Sequence, residues 1–291
     1  MQTNVKRYEI GGVRIKLEAD FGIGEERNFE LFEAEFDGFD TVQTLKKTDR
    51  LPVPKGEPTI SEPTRDIYVE GGRAAIIHRS VLPNRRIFAV TELDTAASTV
   101  KTLTDADSAW EYENTRVIFR TFEIPHILLM HGGLLLHASM IEYGGQAILF
   151  TAPSGVGKST QAEIWRRTQG ADVINGDRAL IRFIGGRAHA HGVPYCGSSG
   201  ICKNVSLPLR AIVSLEQAEE NRAVPMSAAK AAAALIGGAT AHSWLKSDME
   251  RLTDAVLRTI KSVPMIKLYC TVDERAAKAL LNAMRNASQN A

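Results

Sequence analysis

Cysteine is scarce in this 291-residue chain. There are three, Cys196, Cys202 and Cys270, and no CxxC pair. Three thiols cannot build a disulfide framework, so the sequence reads as a reduced, cytoplasmic protein. Long apolar runs are also missing. None reaches the length of a membrane span, and the N-terminal stretch MQTNVKRYEIGG lacks the apolar core of a signal peptide. No internal repeat or low-complexity tract occurs. There is no dense Lys/Arg patch of the kind a nucleic-acid binder carries. Neither a nucleic-acid partner nor a membrane partner is expected.

The remaining composition is that of an ordinary globular chain, 44% hydrophobic and 24% charged. The net charge of +1 hides an asymmetry. Residues 1–125 hold 17 Lys and Arg against 22 Asp and Glu, and residues 126–291 hold 18 against 12. The basic C-terminal half suits an anionic ligand.

The first 105 residues read as β-rich. FELFEAEF (29–36) has partial period-2 alternation, DIYVEGGRAAIIHR (66–79) reads as a hairpin about Gly71-Gly72, and RRIFAVTEL (85–93) as a further strand. LPVPKGEPTISEP (51–63), with four prolines, reads as a loop. Residues 107–131 read as helical with a break at Pro125. After Gly132-Gly133, strands and helices alternate. Strands are expected over 134–143, 146–151 and 172–175, with a hairpin about Gly185-Gly186 and further strands at 209–217 and 265–272. Helices are expected after residue 158, after Ser227, over about 243–261 and at the C-terminus. The alternation makes this half α/β. The domains expected are a β-rich 1–105 and an α/β 106–291.

The strand QAILFT, the loop APSGVGK and the helix STQAEIWRRTQ follow one another as strand, glycine loop and helix, the order that gives a Walker A motif its meaning. Glycines at 155 and 157 let backbone N–H groups approach phosphate oxygens, and the helix N-terminus adds its dipole. Residues Ser154, Gly155, Val156, Gly157, Lys158, Ser159 and Thr160 are therefore the candidate nucleotide-binding loop. Lys158 would reach the β- and γ-phosphates, and the Ser159 hydroxyl would ligate Mg²⁺. Ala152 stands where the first glycine usually does. A glycine-rich turn that merely caps a helix would leave Lys158 unexplained. No LSGGQ-like segment marks an ABC ATPase, and no NKxD marks a GTPase.

Over about 130–285 the chain resembles the HPr kinase/phosphorylase catalytic domain and its relatives, which include the serine kinases ascribed to modified-peptide gene clusters. The resemblance rests on His137 in LLLHASMIEYGGQAILF, on SGVGKS, and on the acidic strand end VINGDRALI. HGVPYCGSSG and LPLRAIVSLEQ add to it. It implies a P-loop kinase core of that type behind a β-rich N-terminal domain. It further implies ATP and Mg²⁺ as cofactors and a peptide or protein acceptor such as a precursor peptide, and it leaves a homo-oligomer open. Two positions depart from the family. Its strand end usually carries two aspartates, and here the pair is Gly176-Asp177. Its P-loop serine is often followed by an acidic residue, and here Thr160 follows. Both bear on reverse phosphorylase chemistry and on metal affinity.

The roles follow from the needs of phosphoryl transfer to a hydroxyl. Asp177 is the candidate base, with Mg²⁺ ligation or a turn cap as alternatives. His137, by the resemblance, hydrogen-bonds Asp177 or the γ-phosphate; taken alone it reads as an ordinary interior histidine. Arg178 binds phosphate or orients Asp177. Ser198 and Lys203, in YCGSSGICKN, are candidate phosphate or acceptor contacts, or simply belong to a surface loop. His189 and His191 read as a strand face rather than metal ligands, and AAKAAAALI as a core helix. The expected activity is an ATP- and Mg-dependent kinase acting on a hydroxyl. A small-molecule kinase and a nucleotide-binding regulatory module with weak hydrolysis are the alternatives.

Overall fold

The computed structural model describes residues 3–23, 27–81, 85–94 and 99–289, with side chains to 285. The ends of the expected domains at 1 and 291 lie outside the described residues. The chain divides into two compact units, 1–127 and 128–291, and the fold is mixed α/β.

The first unit is built on one eight-stranded sheet ordered β1-β2-β3-β8-β7-β6-β5-β4. Its strands are β1 (Asn4–Ile10), β2 (Val13–Ala19), β3 (Thr41–Thr48), β4 (Ile60–Glu62), β5 (Arg65–Glu70), β6 (Arg73–Arg79), β7 (Ile87–Asp94) and β8 (Thr99–Asp105). β3 runs parallel to both its neighbours, and the other pairings are antiparallel. β2 shows the clean alternation of a sheet with one buried face. The strand expected within 29–36 is instead the single-turn helix α1 (Arg27–Glu30) and the turn after it. Phe29 and Phe32 are both buried. A spacing of three puts them on one helical side, where a strand would have turned them to opposite faces. Phe29 meets Tyr8 of β1 edge-on at 5.3 Å between ring centres.

The unit boundary falls at 127/128 rather than 105/106. The expected helical stretch forms as three pieces: a 3₁₀ turn at Ala106–Glu113, α2 (Thr115–Thr121) and α3 (Ile124–Met130). Pro125 sits in the first turn of α3, where its missing N–H costs nothing, and the break lies just before it at Glu123, φ +50°. Side-chain bonds fasten α2 to the sheet. The hydroxyls of Thr91 (β7) and Thr102 (β8) both donate to the Thr121 carbonyl, at 2.9 and 3.0 Å. His78 Nε2 lies 2.9 Å from Thr91 Oγ1 in the same fully buried row.

The second unit contains β9 (Leu134–Tyr143), β10 (Gln146–Thr151), α4 (Lys158–Gln169), β11 (Asp172–Asn175), β12 (Arg178–Ile184), β13 (Arg187–His191) and β14 (Ser206–Gln217). These are followed by β15 (Arg222–Pro225), α5 (Ala228–Gly238), α6 (Lys246–Ser262), β16 (Met265–Cys270) and α7 (Glu274–Gln289). The sheet order is β10-β9-β12-β13-β14-β16-β15. β11 pairs with β9, and β10 also pairs in parallel with β14, so the pairings close a ring. Helices cover both faces of β10. Ile148 and Phe150 pack with Trp165 of α4 and Leu280 of α7. Ala147 and Leu149 pack with Leu235 of α5 and Val256 of α6. A strand buried on both sides needs an uninterrupted apolar run, which AILF supplies. Among the described residues no helix is long and apolar enough to cross a membrane.

Candidate active site

β10 delivers its chain to the glycine loop at Thr151, and α4 opens at Lys158. Gly155 (φ +82°) and Gly157 (φ +115°) hold left-handed backbone that side chains resist. Gly157 is also the N-cap of α4, with no side-chain cap. The helical ladder begins with Gln161 N–H on the Gly157 carbonyl at 2.9 Å. The first-turn amides before it are therefore free to meet an anion. Ser154, Gly155, Ser159 and Thr160 are exposed along this loop, with Val156 half-buried. The Lys158 side chain folds back under the loop, and its Nζ donates to the carbonyls of Ala152 at 3.0 Å and Pro153 at 3.4 Å. Burial pushes its pKa below the ordinary lysine value, against the pull of Asp177 and with the push of Arg178.

Strand register brings the second half of the site to the same place. On β9, Ala138 faces Thr151 of β10, Met140 faces Asn175 of β11, and His137 faces Arg178 of β12. The ends of β10 and β11 thus converge on the middle of β9. The turn between β11 and β12 carries Asp177. Buried Asn175 shapes that turn, its Oδ1 accepting from the N–H groups of Asp177 and Arg178, each at 2.9 Å. Its amide donates to the carbonyls of Val193 and Tyr195.

Around Asp177 three of the expected residues meet. His137 Nε2 lies 3.3 Å from Asp177 Oδ1, and Arg178 Nε lies 3.5 Å from Oδ2. Burial raises the carboxyl pKa, but the His137 hydrogen bond and the charges of Arg178 and Lys158 outweigh it, and the net shift is downward. Asp177 is an anion at neutral pH, with its side chain 24% exposed. Arg178 is held by three contacts: Asp177, the Thr240 hydroxyl, and the Tyr195 ring 5.2 Å beneath its guanidinium. The Ser159 hydroxyl donates to the Gly176 carbonyl at 3.4 Å, and Ser139 donates to the same oxygen at 2.9 Å.

Not every expected residue arrives. Lys203 is turned away, its ammonium paired with both carboxylate oxygens of Asp172 at 2.6 Å, at the far end of β11 from Asp177. Ser198 lies in the 3₁₀ turn Gly197–Ser199, which does pack on the site. A Cβ at Gly197 would stand 2.8 Å from Asp177 Oδ1, and one at Gly176 would stand 2.2 Å from Ser199 Oγ. Ser199 therefore fills the space that a side chain at 176 would need. His191 is buried, which lowers its pKa to about 4 with help from Arg182 and His189. His189, His191, Cys196 and Cys202 do not gather into a ligand cluster.

Asn175 and Ser199 are two residues at the site that the sequence-based expectations do not include. Asn175 had a signal, since Asn two residues before the acidic position is the start of an Asx-turn. Ser199 had none, because its role depends on a distant turn folding onto β11. α5 is also more than a core helix. Ala233 and Gly237 are exposed, and with Ala234 and Gly238 they line a cleft of about 400 Å³ whose other wall is His137, Thr151, Ser154 and Ser214.

The family model described as SynChlorMet cassette protein ScmC matches residues 104–275. The chain belongs to that family. The match spans most of the stretch that carries the motif resemblance and extends upstream to the end of β8. No curated protein matches the chain. Among solved structures, the Hpr(Ser) kinase/phosphatase from Coxiella burnetii matches at 12% identity and a TM-score of 0.31, covering 54% of this chain and 91% of that one. A likeness of that size carries no activity across.

Proposed function

We propose that this chain is an ATP-dependent kinase that transfers the γ-phosphoryl group to the hydroxyl of a serine in a peptide or protein. The observation that carries the reading is the meeting of two strand ends, β10 and β11, that both pair with β9. One presents a glycine loop with a buried lysine, and the other an ionised aspartate held by a histidine.

In this reading the loop amides from Ser154 to Thr160 cradle the phosphates, and Lys158 exchanges its carbonyl partners for phosphate oxygens. The acceptor hydroxyl approaches Asp177. His137 holds Oδ1 at 3.3 Å and Arg178 stands 3.5 Å from Oδ2; Oδ2, with the longer contact, takes the proton as the hydroxyl oxygen attacks the γ-phosphorus. Arg178, fixed by Thr240 and Tyr195, faces the charge that develops on the transferring group. Ser159 Oγ and the Asp177 carboxylate are a hard-oxygen donor pair that fits Mg²⁺. A bound Mg²⁺ would neutralise phosphate charge. The acceptor class follows from the resemblance to kinases encoded with modified-peptide clusters, and the family's name marks its members as cassette proteins.

A small hydroxylated molecule is the second reading, favoured by the cleft beside His137, which is of a size to enclose one. Gly237 has open space around its Cβ position and ordinary φ, so Gly237→Leu would fill that cleft without straining the backbone. The test of the main reading is transfer from γ-labelled ATP to serine-containing peptides by the full chain. Labelled peptide with wild-type protein and none with Lys158→Ala supports it. ATP binding that survives Lys158→Ala at wild-type affinity would sink it.

A further inference from the structure

The turn that packs on Asp177 carries two serines in different situations. Ser199 is committed: its Oγ donates to the Cys196 carbonyl at 2.7 Å, accepts from Ile201 N–H at 3.2 Å, and its side chain covers Gly176. Ser198 is exposed, and its hydroxyl has no partner among the described residues. It follows Gly197, whose bare α-carbon is what lets the turn backbone lie against the Asp177 carboxylate. Left-handed glycines bracket the turn, Gly197 at φ +58° and Gly200 at φ +65°, which folds the segment tightly back over the strand end. A serine hydroxyl of the chain itself thus sits one residue from contact with the group that would deprotonate an incoming serine.

We propose that Ser198 is a phosphorylation site that the chain modifies on itself, in cis. The proposal rests on the kinase reading above. The Ser198 oxygen attacks the γ-phosphorus of ATP, an O–P bond forms, and the bond from that phosphorus to the β–γ bridging oxygen breaks. ADP leaves with the electron pair, and the hydroxyl proton passes to Asp177 Oδ2. Intramolecular delivery removes the encounter cost that a separate peptide bears, so transfer needs no partner.

The experiment uses the full chain, first stripped of phosphate with a phosphatase, then incubated with γ-labelled ATP and magnesium and no peptide. Phosphate is located by tandem mass spectrometry, and ADP release is followed in parallel. The expected result is one phosphate at Ser198, formed at a rate constant independent of protein concentration. Ser198→Ala should remove it, Ser198→Thr should keep it, and Asp177→Asn should abolish it. ADP release or peptide labelling with no phosphate on the chain would overturn the proposal and leave the kinase reading standing. Phosphate at another residue, or a rate that rises with protein concentration, would overturn it equally. A chain that neither binds nor turns over ATP would remove the kinase reading and this proposal together.

Discussion

The two units each bury polar groups, and the difference between them separates architecture from chemistry. In the first unit His78, Thr91, Thr102 and Thr121 form a hydrogen-bonded row between sheet and helix, all fully buried. In the second, His137, Asp177 and Arg178 are between a fifth and a third exposed and stand at strand ends. His78 has its pKa driven down to about 3, by burial first and by the charges of Arg120 and Arg65, against Glu123. It stays neutral and holds a threonine. His137 holds a carboxylate next to open backbone amides and a cleft. A perturbed or buried histidine alone therefore says little. Partial access, a charged partner and free donors nearby are what make His137 the candidate.

The comparison can be broken first at His78. Replacing it with Ala leaves a cavity and strips the Thr91 hydroxyl of a partner. The expected loss is about 3 kcal/mol of stability in denaturant unfolding, with ATP affinity unchanged. A loss of ATP affinity in folded protein would show that the row is not purely architectural. The same residue sets a pH dependence. Its folded pKa lies below its ordinary value of 6.5, so its contribution is fully present above that pH. It is lost as pH falls toward 3, at about 1.4 kcal/mol per pH unit. His78→Gln should flatten that slope in unfolding curves measured across the window.

A change of intermediate size sharpens the account of the strand end. Gly176→Asp restores a second carboxylate, but its Cβ collides with Ser199. We expect a destabilisation of about 1–3 kcal/mol from overpacking. Ser199→Gly should relieve it, because the Ser199 Cα stands 3.9 Å away. Additive rather than compensating effects in this double-mutant cycle would show that the two positions are not coupled. The smallest effect belongs to Lys203. Its pair with Asp172 is solvent-exposed, so Lys203→Ala should change stability by less than about 1 kcal/mol and leave transfer untouched. A drop in transfer would return Lys203 to the site.

What was legible in the sequence was what local chemistry decides. Two Gly-Gly hairpins were readable because both residues must take positive φ, as they do at 71–72 and 185–186. Gly11-Gly12 carries the same signal and joins β1 to β2. The glycine loop was legible because strand, loop and helix are contiguous. The meeting of His137 with Asp177 came from the family resemblance rather than from spacing, since antiparallel pairing of β9 with β12 sets it. The fates of Lys203 and Ser199 were hidden, because each depends on how a loop folds over β11. The C-terminal edge of the first unit lies at 127 rather than at the expected 105 for a similar reason: the bonds that fasten α2 to the sheet run between residues 19 to 30 apart.

The central claim is that Asp177 acts on the acceptor while the glycine loop holds the nucleotide. Asp177→Asn keeps the size and the turn but removes the base. Calorimetric ATP binding and transfer from labelled ATP to a serine peptide, measured on the same preparation, separate the two roles. The account predicts near wild-type binding with transfer lowered by about 10²-fold or more. Equal loss of binding and transfer, or no loss of either, would contradict it.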